Sequence, residues 1–303
     1  MFDVISFGSA VVDVFVDTDL SERKGFMCYN VGEKVLLKNL RFDVGGGGTN
    51  TSVAFSRLGL NAGFIGKIGN DTDGESILGV LKHEKVKFLG NIEKGAVSGY
   101  SIILDSKEHN RTILTYKGVN DEFAWSELKL RKIKTKWLYL TSLLGKSFDT
   151  QKKLVAYLNA RGVKIAFNPS SYLIKRLNLK PILRFCEVLV LNKEEAQMLV
   201  KKEKVKENDL LKALRNLGPK IVVVTDKNKR AYAYDGVKKV SIMPNKIKVV
   251  ERTGAGDAFA SGFVAGQILG WNLKKSLELG LKEGESVLRH FGAKNNLIRR
   301  NLR

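Results

Sequence analysis

Residues 252–259 read Arg252-Thr253-Gly254-Ala255-Gly256-Asp257-Ala258-Phe259: two glycines around an alanine, then an aspartate, at the point where a helical apolar pattern begins. The first backbone N–H groups of a helix lack intrahelical partners and point outward. Together with the helix dipole they attract an anion. Glycine allows a phosphate to come close because no Cβ stands in the way. A bound phosphate would repel an acid in the same turn. That placement makes sense if Asp257 takes a proton from a hydroxyl that attacks phosphorus. The local alternative is a glycine turn whose aspartate caps the helix. The small residues Ala258, Ala260, Ser261 and Gly262 behind it permit close packing under either reading.

The chain around this turn alternates between two periods. Trp137–Thr141, Val163–Phe167, Glu187–Leu191 and Ile221–Thr225 are apolar runs of strand length. Between and after them, helical patterns cover Asp149–Ala160, Lys193–Val200, Lys206–Leu217, Ala255–Leu269 and Leu273–Phe291. Ala231–Tyr234 and Lys239–Met243 predict a hairpin. Towards the N-terminus, Val4–Gly8 and Ala62–Gly66 predict strands, Thr49–Leu58 a helix stopped by Gly59, and Gly74–Glu84 another helix. This rhythm predicts an α/β fold with a mainly parallel sheet covered on both faces and right-handed crossovers. Ligands of such sheets sit beyond the carboxyl ends of the strands. Residues 11–44 and 98–117 break the rhythm. Lys34–Lys38 and Leu40–Val44 alternate with strand period, and Ser98–Leu104 and Arg111–Tyr116 read as a hairpin turning at residues 106–110. They predict a small separate sheet.

Composition narrows the function classes. The 303 residues are 44% hydrophobic and 27% charged, an ordinary globular balance. No apolar run has the length of a membrane span, and no leader is expected before the first strand. Cys28 and Cys186 fit no metal or redox spacing, and His83, His109 and His290 are scattered. Two free thiols in a cytoplasmic setting are expected. The formal net charge is +21, from 52 Lys and Arg against 31 acids. Only Arg299-Arg300-Asn301-Leu302-Arg303 is a compact basic run. The spread favours solvated lysines and an attraction for anionic nucleotides over nucleic acid as a partner.

A second glycine-rich stretch joins the first. Gly45-Gly46-Gly47-Gly48-Thr49-Asn50-Thr51-Ser52-Val53-Ala54 is followed by Arg57-Leu58-Gly59 and by GKIGNDTDG at Gly66 to Gly74. In this order the two stretches resemble the N- and C-terminal signatures of the ribokinase-like carbohydrate kinases, and weaker matches run from Val4 to Ala293. The resemblance implies a three-layer αβα core (1–10, 45–97 and 118–303) with a mainly parallel sheet, and a β lid (11–44 and 98–117). It implies transfer of the γ-phosphoryl group of ATP, with Mg²⁺, to a hydroxymethyl group of a sugar. Asp257 would be the base, and the amides of Gly254, Ala255 and Gly256 the anion hole. Asp13 and Asn50 would hold the acceptor, and Gly45 and Gly46 would be the bend of the lid. Asn192-Lys193-Glu194-Glu195 matches the family's N-x-x-E motif, in which Asn192 and Glu195 would order Mg²⁺ through its waters. Asn168, Thr225 and Lys227 would lie on the nucleotide side. Pairing of two copies through the lid is a further implication, and no membrane partner is implied. Read locally, Asn192 and Glu195 are a helix cap, Asp13 a loop acid and Asn50 a polar residue near a helix start.

The chain departs from the family pattern at four positions in three places. The loop Thr225-Asp226-Lys227-Asn228-Lys229-Arg230-Ala231 stands where the family has T-x-G-x-x-G-A, with Lys227 and Arg230 in place of glycines. Nucleotide preference is therefore open. Glu251 stands where ribokinase has an aspartate near a monovalent-cation site, so potassium dependence does not carry over. Gly47 stands where ribokinase has a lysine, which opens acceptors other than ribose. A nucleoside acceptor would call on lid aromatics such as Phe15, Phe26, Tyr29 and Tyr100. A sugar-phosphate acceptor would call on basic lid residues such as Lys34, Lys38 and Arg111. A non-catalytic nucleotide- or RNA-binding protein on the same scaffold is the alternative of a different class. No G-x-x-x-x-G-K-[ST] occurs, and neither glycine cluster completes a dinucleotide-binding G-x-G-x-x-G.

Overall fold

A computed structural model describes residues 1–18, 20–107 and 111–300. Residues 108–110 of the expected hairpin turn, His109 among them, and residues 301–303 of the basic tail lie outside the described residues. The strands in chain order are β1 (Phe2–Phe7), β2 (Val11–Asp17), β3 (Asn39–Gly45), β4 (Ala62–Ile65), β5 (Lys67–Gly69), β6 (Lys87–Phe88), β7 (Asn91–Glu93), β8 (Gly99–Asp105), β9 (Arg111–Tyr116), β10 (Thr135–Thr141), β11 (Lys164–Asn168), β12 (Cys186–Asn192), β13 (Ile221–Thr225), β14 (Ala231–Tyr234) and β15 (Lys239–Ile242). The helices are α1 (Gly47–Arg57), α2 (Thr72–His83), α3 (Gly145–Asn159), α4 (Ser171–Arg176), α5 (Lys180–Leu183), α6 (Lys193–Val200), α7 (Glu207–Arg215), α8 (Ala255–Ile268) and α9 (Leu273–Leu288).

The large sheet runs β15-β14-β13-β12-β11-β10-β1-β4-β6. It is parallel from β6 to β13 and antiparallel in the β13–β14–β15 meander. Its strands read as continuous apolar runs because both faces are covered. On β10, Leu138 and Leu140 face a layer with Leu154 and Leu158 of α3 and Leu210 and Leu214 of α7. Trp137 and Tyr139 face the opposite layer, with Phe55 of α1, Phe263 of α8 and Leu277 of α9. Each such leucine or phenylalanine, taken fully out of water, contributes about 1.5–3 kcal/mol. The three-layer α/β arrangement predicted from the alternation is thus present.

The second sheet has the order β3-β2-β8-β9, with β2 and β8 parallel and both edges antiparallel. Its β3 starts at Asn39, opposite Asp17 at the end of β2. The strand expected over Lys34–Lys38 does not form. Those residues run past the end of β2, and Lys38 makes the last backbone hydrogen bond, to the Asp17 carbonyl. Without a neighbour, alternation alone gives no ladder. The final helix ends at Leu288 rather than Phe291, and the chain then turns through Gly292 with φ 85°.

Helices α8 and α9 approach backbone to backbone. A Cβ on Gly262 would stand 2.9 Å from the Gly280 Cα, and one on Gly266 2.8 Å from the Ser276 Cα. Beside this seam Glu283 is fully buried. Its Oε2 accepts from the Ile298 N–H at 3.3 Å, while Oε1 finds no partner among the described residues. Burial pushes its carboxyl up to about 8, against the Ile298 hydrogen bond and the charge of Arg57. The unfolded chain ionises near its ordinary value of 4.5 while the folded chain keeps its proton to about 8. Stability is therefore fully present below the unfolded value and is lost as pH rises through that window, by up to about 3–5 kcal/mol. Glu283→Gln should abolish this loss. Its gain over wild type, followed by urea denaturation, should be near zero at pH 4.5 and several kcal/mol at pH 8.5. Equal gains at both values would sink the assignment of a protonated Glu283.

Candidate active site

A cavity of about 440 Å³ opens at the carboxyl ends of the parallel strands, between the large sheet and the small one. Its lining includes Asp13, Gly46, Asn50, Asn168, Asn192, Glu195, Thr225, Gly254, Gly256 and Asp257. The topology accounts for the convergence. Asn168, Asn192 and Thr225 end β11, β12 and β13, and Asn192 pairs in register with Thr225. The N-termini of α1 and α8 come from opposite ends of the chain and pack side by side.

The 252–259 stretch makes the turn into α8. Gly254 is the N-cap in a left-handed conformation, φ 79°. The Ala258 N–H donates to the Gly254 carbonyl at 2.9 Å, closing the first helical turn. Among the described residues the N–H of Gly256 has no protein acceptor, as expected of an open helix start. Ala255 is placed differently: its N–H leans back to the Arg252 carbonyl at 3.4 Å, and it is outside the cavity lining. Ahead of the turn, the Glu251 carboxylate accepts from the N–H groups of Arg252 and Thr253, from the Thr253 hydroxyl at 2.9 Å, and from the guanidinium of Arg111 on β9. The acid at the position of the family's cation-site aspartate is thus committed to the small sheet.

Asp257 meets Asn50 across the two helix starts. Asn50 Nδ2 donates to Asp257 Oδ2 at 2.9 Å. Asn50 Oδ1 accepts from Lys294 Nζ, also at 2.9 Å, and Lys294 is 3% exposed. Burial pushes the Asp257 carboxyl up, and the Asn50 hydrogen bond and the Lys294 charge pull it down. Asp13, on β2, is likewise raised to about 6. Burial is the main cause, assisted by Asp43 and Asp257 and opposed by Lys294 and a hydrogen bond with Ser101.

The glycines of 45–48 are needed for close approach. A Cβ at 45 would stand 2.6 Å from the Asp13 Cγ. Gly46 has φ 93°, and its Cβ would stand 2.5 Å from the Ser9 carbonyl oxygen. Gly45 itself is behind Asp13 and outside the lining.

On the other side, Asn192 and Glu195 form a reciprocal capping box at the start of α6, at 2.8 and 2.9 Å. Both also line the cavity. Burial raises the Glu195 carboxyl, hydrogen bonds from the Asn192 and Ser171 amides oppose this, and Asp257 and Glu194 add to it. Asn168 donates to the Val190 carbonyl at 2.8 Å. Lys227 is not brought to the cavity. It has φ 47° and pairs at 2.8 Å with Glu194, two exposed side chains. Lys193 and Asp226 make a second pair at 2.9 Å between this loop and α6. Phe26 and Tyr29 are exposed, and Phe15 packs edge-on against Phe291.

Lys294 is the residue that sequence reasoning misses. It is one of 52 basic residues, in a loop after the last helix, and only the fold brings it beneath Asn50. Ser101, Ser142, Lys117 and Tyr172 also line the cavity with no motif to mark them, and Thr253 of the 252–259 stretch lines it too.

Residues 1–300 match the description of the pfkB family of carbohydrate kinases. An uncharacterized sugar kinase of Archaeoglobus fulgidus is 28% identical over 254 residues, which cover 82% of this chain and 99% of that protein. The ATP-dependent 6-phosphofructokinase of Thermoanaerobacterium thermosaccharolyticum is 27% identical, over 96% of this chain and 89% of its own. Among solved structures, adenosine kinase from Sinorhizobium meliloti superposes with a TM-score of 0.84 at 20% identity, over 100% of this chain and 96% of the other. At that identity the likeness speaks for the fold.

Proposed function

The chain belongs to the pfkB family of carbohydrate kinases, and from that premise we propose that it transfers the γ-phosphoryl group of ATP to a hydroxymethyl group of a sugar. The observation that carries this reading is the junction of Asp257 with the open start of α8 and with Asn50 in one cavity. An acceptor hydroxyl held between Asp13 and Asp257 would deliver its proton to Asp257 as it attacks phosphorus in line. The amides at the start of α8, Gly256 foremost, would donate to the phosphoryl oxygens as charge develops; one such donor is worth about 2.7–4 kcal/mol in other enzymes.

Mg²⁺ fits the donor set in a limited sense. Among the described residues no cluster of three or more His, Cys, Asp or Glu is arranged to hold a metal. Glu195, a single hard oxygen donor facing the cavity beside Asn192, suits an ion that keeps most of its waters. Bound there, Mg²⁺ would neutralise phosphate charge. Asn168, Asn192 and Thr225 would line the nucleotide end, with Lys227 left outside.

The small sheet, within 11–44 and 98–117, would be the lid, bending at Gly45 and Gly46. Exposed Leu40, Phe42, Leu114 and Tyr116 on that sheet support pairing of two copies through it. No helix among the described residues is long and apolar enough to cross a membrane. Cys28 and Cys186 are unpaired, which supports a cytoplasmic setting.

A nucleoside acceptor is the second reading, favoured by one observation: Val11, Ile103 and Ile113 of the small sheet turn apolar surface into the cavity. A sugar phosphate fits less well, because Lys34 and Lys38 are outside the lining and Arg111 is held by Glu251. The purified protein should be screened for ADP release with ATP and Mg²⁺ against sugars, sugar phosphates and nucleosides. Acceptor-dependent ADP release is expected, highest with an unphosphorylated sugar. A nucleoside giving the highest kcat/KM would replace the first reading by the second. RNA binding with no ADP release on any acceptor would replace both by a binding protein.

A further inference from the structure

A buried lysine is costly unless its ammonium is satisfied. Lys294 is buried, and two of its donors are spent on the Val44 carbonyl and on Asn50 Oδ1. Its own carbonyl accepts from the Arg57 guanidinium, which ties the loop after α9 to α1. The ammonium therefore has a fixed place, and that place is one residue removed from the reacting carboxylate.

Burial pulls the Lys294 ammonium down while the charges of Asp43, Asp13 and Asp257 hold it up. As the ammonium, which those three carboxylates favour, a lysine can only donate. The Asn50 atom facing it must be the oxygen, so the Asn50 NH₂ group must face the other way. There it meets Asp257 Oδ2, which can only accept when ionised. The direction of the amide, otherwise ambiguous, is set by chemistry at both ends. We infer that Lys294 is a positioning residue for phosphoryl transfer: it orients Asn50 so that the amide holds one oxygen of Asp257 and leaves the other for the acceptor hydroxyl.

The charges around the pair agree. Asp257 is faced by Asn50 from α1, Asp13 from β2, Glu195 from α6, Tyr139 from β10 and Lys294 from the C-terminal loop. Lys294 is the cation among them. It is faced in turn by Asp43, Asp13 and Asp257, and by Arg57 on the far side. Without it three neighbouring carboxylates would share a poorly hydrated pocket, and Asp257 would hold its proton to higher pH.

The inference rests on Asp257 being the base, so its test has one arm that needs no substrate. The Asp257 side-chain carbon, assigned by its disappearance in Asp257→Asn, is titrated by NMR in the full-length wild type, in Lys294→Met and in Lys294→Gln. The methionine keeps the length of the side chain without donor or charge; the glutamine keeps a donor. The Asp257 midpoint should rise by about one unit or more in the methionine variant. With the acceptor found by the screen, kcat at pH 7 should fall at least tenfold, more than KM rises, and the acid limb of kcat should shift with the midpoint. Lys294→Gln should recover part of kcat. An unmoved midpoint in either folded variant overturns the role of Lys294, and the glutamine variant carries the same titration if the methionine variant does not fold. Wild-type protein inactive on every acceptor would overturn the kinase reading instead, with the titration still deciding whether Lys294 governs Asp257.

Discussion

Asp257→Asn should lower turnover by about 10²–10⁴-fold, the usual contribution of a positioned general base, and leave ATP binding intact. The exchange is nearly isosteric. The new amide oxygen can still accept from Asn50 Nδ2, so the contact between α1 and α8 survives. Lys294 keeps Asp13 and Asp43 as counter-charges. Removing a carboxylate that burial already disfavours does not threaten the fold. At the nucleotide end the change removes a negative charge beside the place proposed for the γ-phosphate, so ATP affinity should hold or tighten. The check is ADP release at saturating acceptor together with calorimetric ATP binding on the same preparation. A variant that turns over at near the wild-type rate would remove Asp257 as the base. One that loses ATP binding in parallel with turnover would instead mark it as a nucleotide-site residue.

Such predictions lean on features that differed in how far the sequence revealed them. The turn into α8 was legible because its parts are consecutive: glycine, alanine, glycine and aspartate lie in one helical turn. The strand ends were legible for a related reason, since a polar residue closing an apolar run, as at Asn168, Asn192 and Thr225, marks where a parallel strand leaves the core. Residues 34–38 have the alternation of a strand and form none, because a strand needs a neighbour and β2 has already ended. Lys227 replaces a family glycine and keeps a glycine-like φ of 47°. Its side chain, free to choose, reached the exposed Glu194 rather than the cavity. Asn192 and Glu195 cap α6, as their local pattern suggests, and they also face the cavity, where the Mg²⁺ role proposed for them would be exercised. Lys294 was hidden because its meaning lies wholly in a long-range contact with Asn50, across 244 positions of sequence.

Gly254→Ala and Gly256→Ala should separate the two jobs of the glycine turn. At 254 the backbone is left-handed, φ 79°, and a Cβ would stand 2.7 Å from the Ala293 Cα. The left-handed conformation alone costs a non-glycine residue about 1–2 kcal/mol. The collision adds to it, because it is with backbone rather than a flexible side-chain tip. The chain can relieve it in two ways. Shifting residues 253–256 moves the anion hole; shifting 293–294 pulls Lys294 from Asn50. Either way Gly254→Ala should lose stability by about 2 kcal/mol or more and activity by at least about 10²-fold. Gly256 stands in contrast: nothing lies within 4 Å of a Cβ there. Gly256→Ala should fold with wild-type stability, slightly improved by the better helix former. Yet its methyl would stand in the space proposed for phosphate, so turnover should fall by a similar factor with the Tm unchanged or slightly raised. Thermal melts and ADP release on the two variants decide the matter. A stable Gly256→Ala protein that still phosphorylates at the wild-type rate would mean that the open start of α8 cradles no phosphate, and the reading of Asp257 would have to be rebuilt on another anion site.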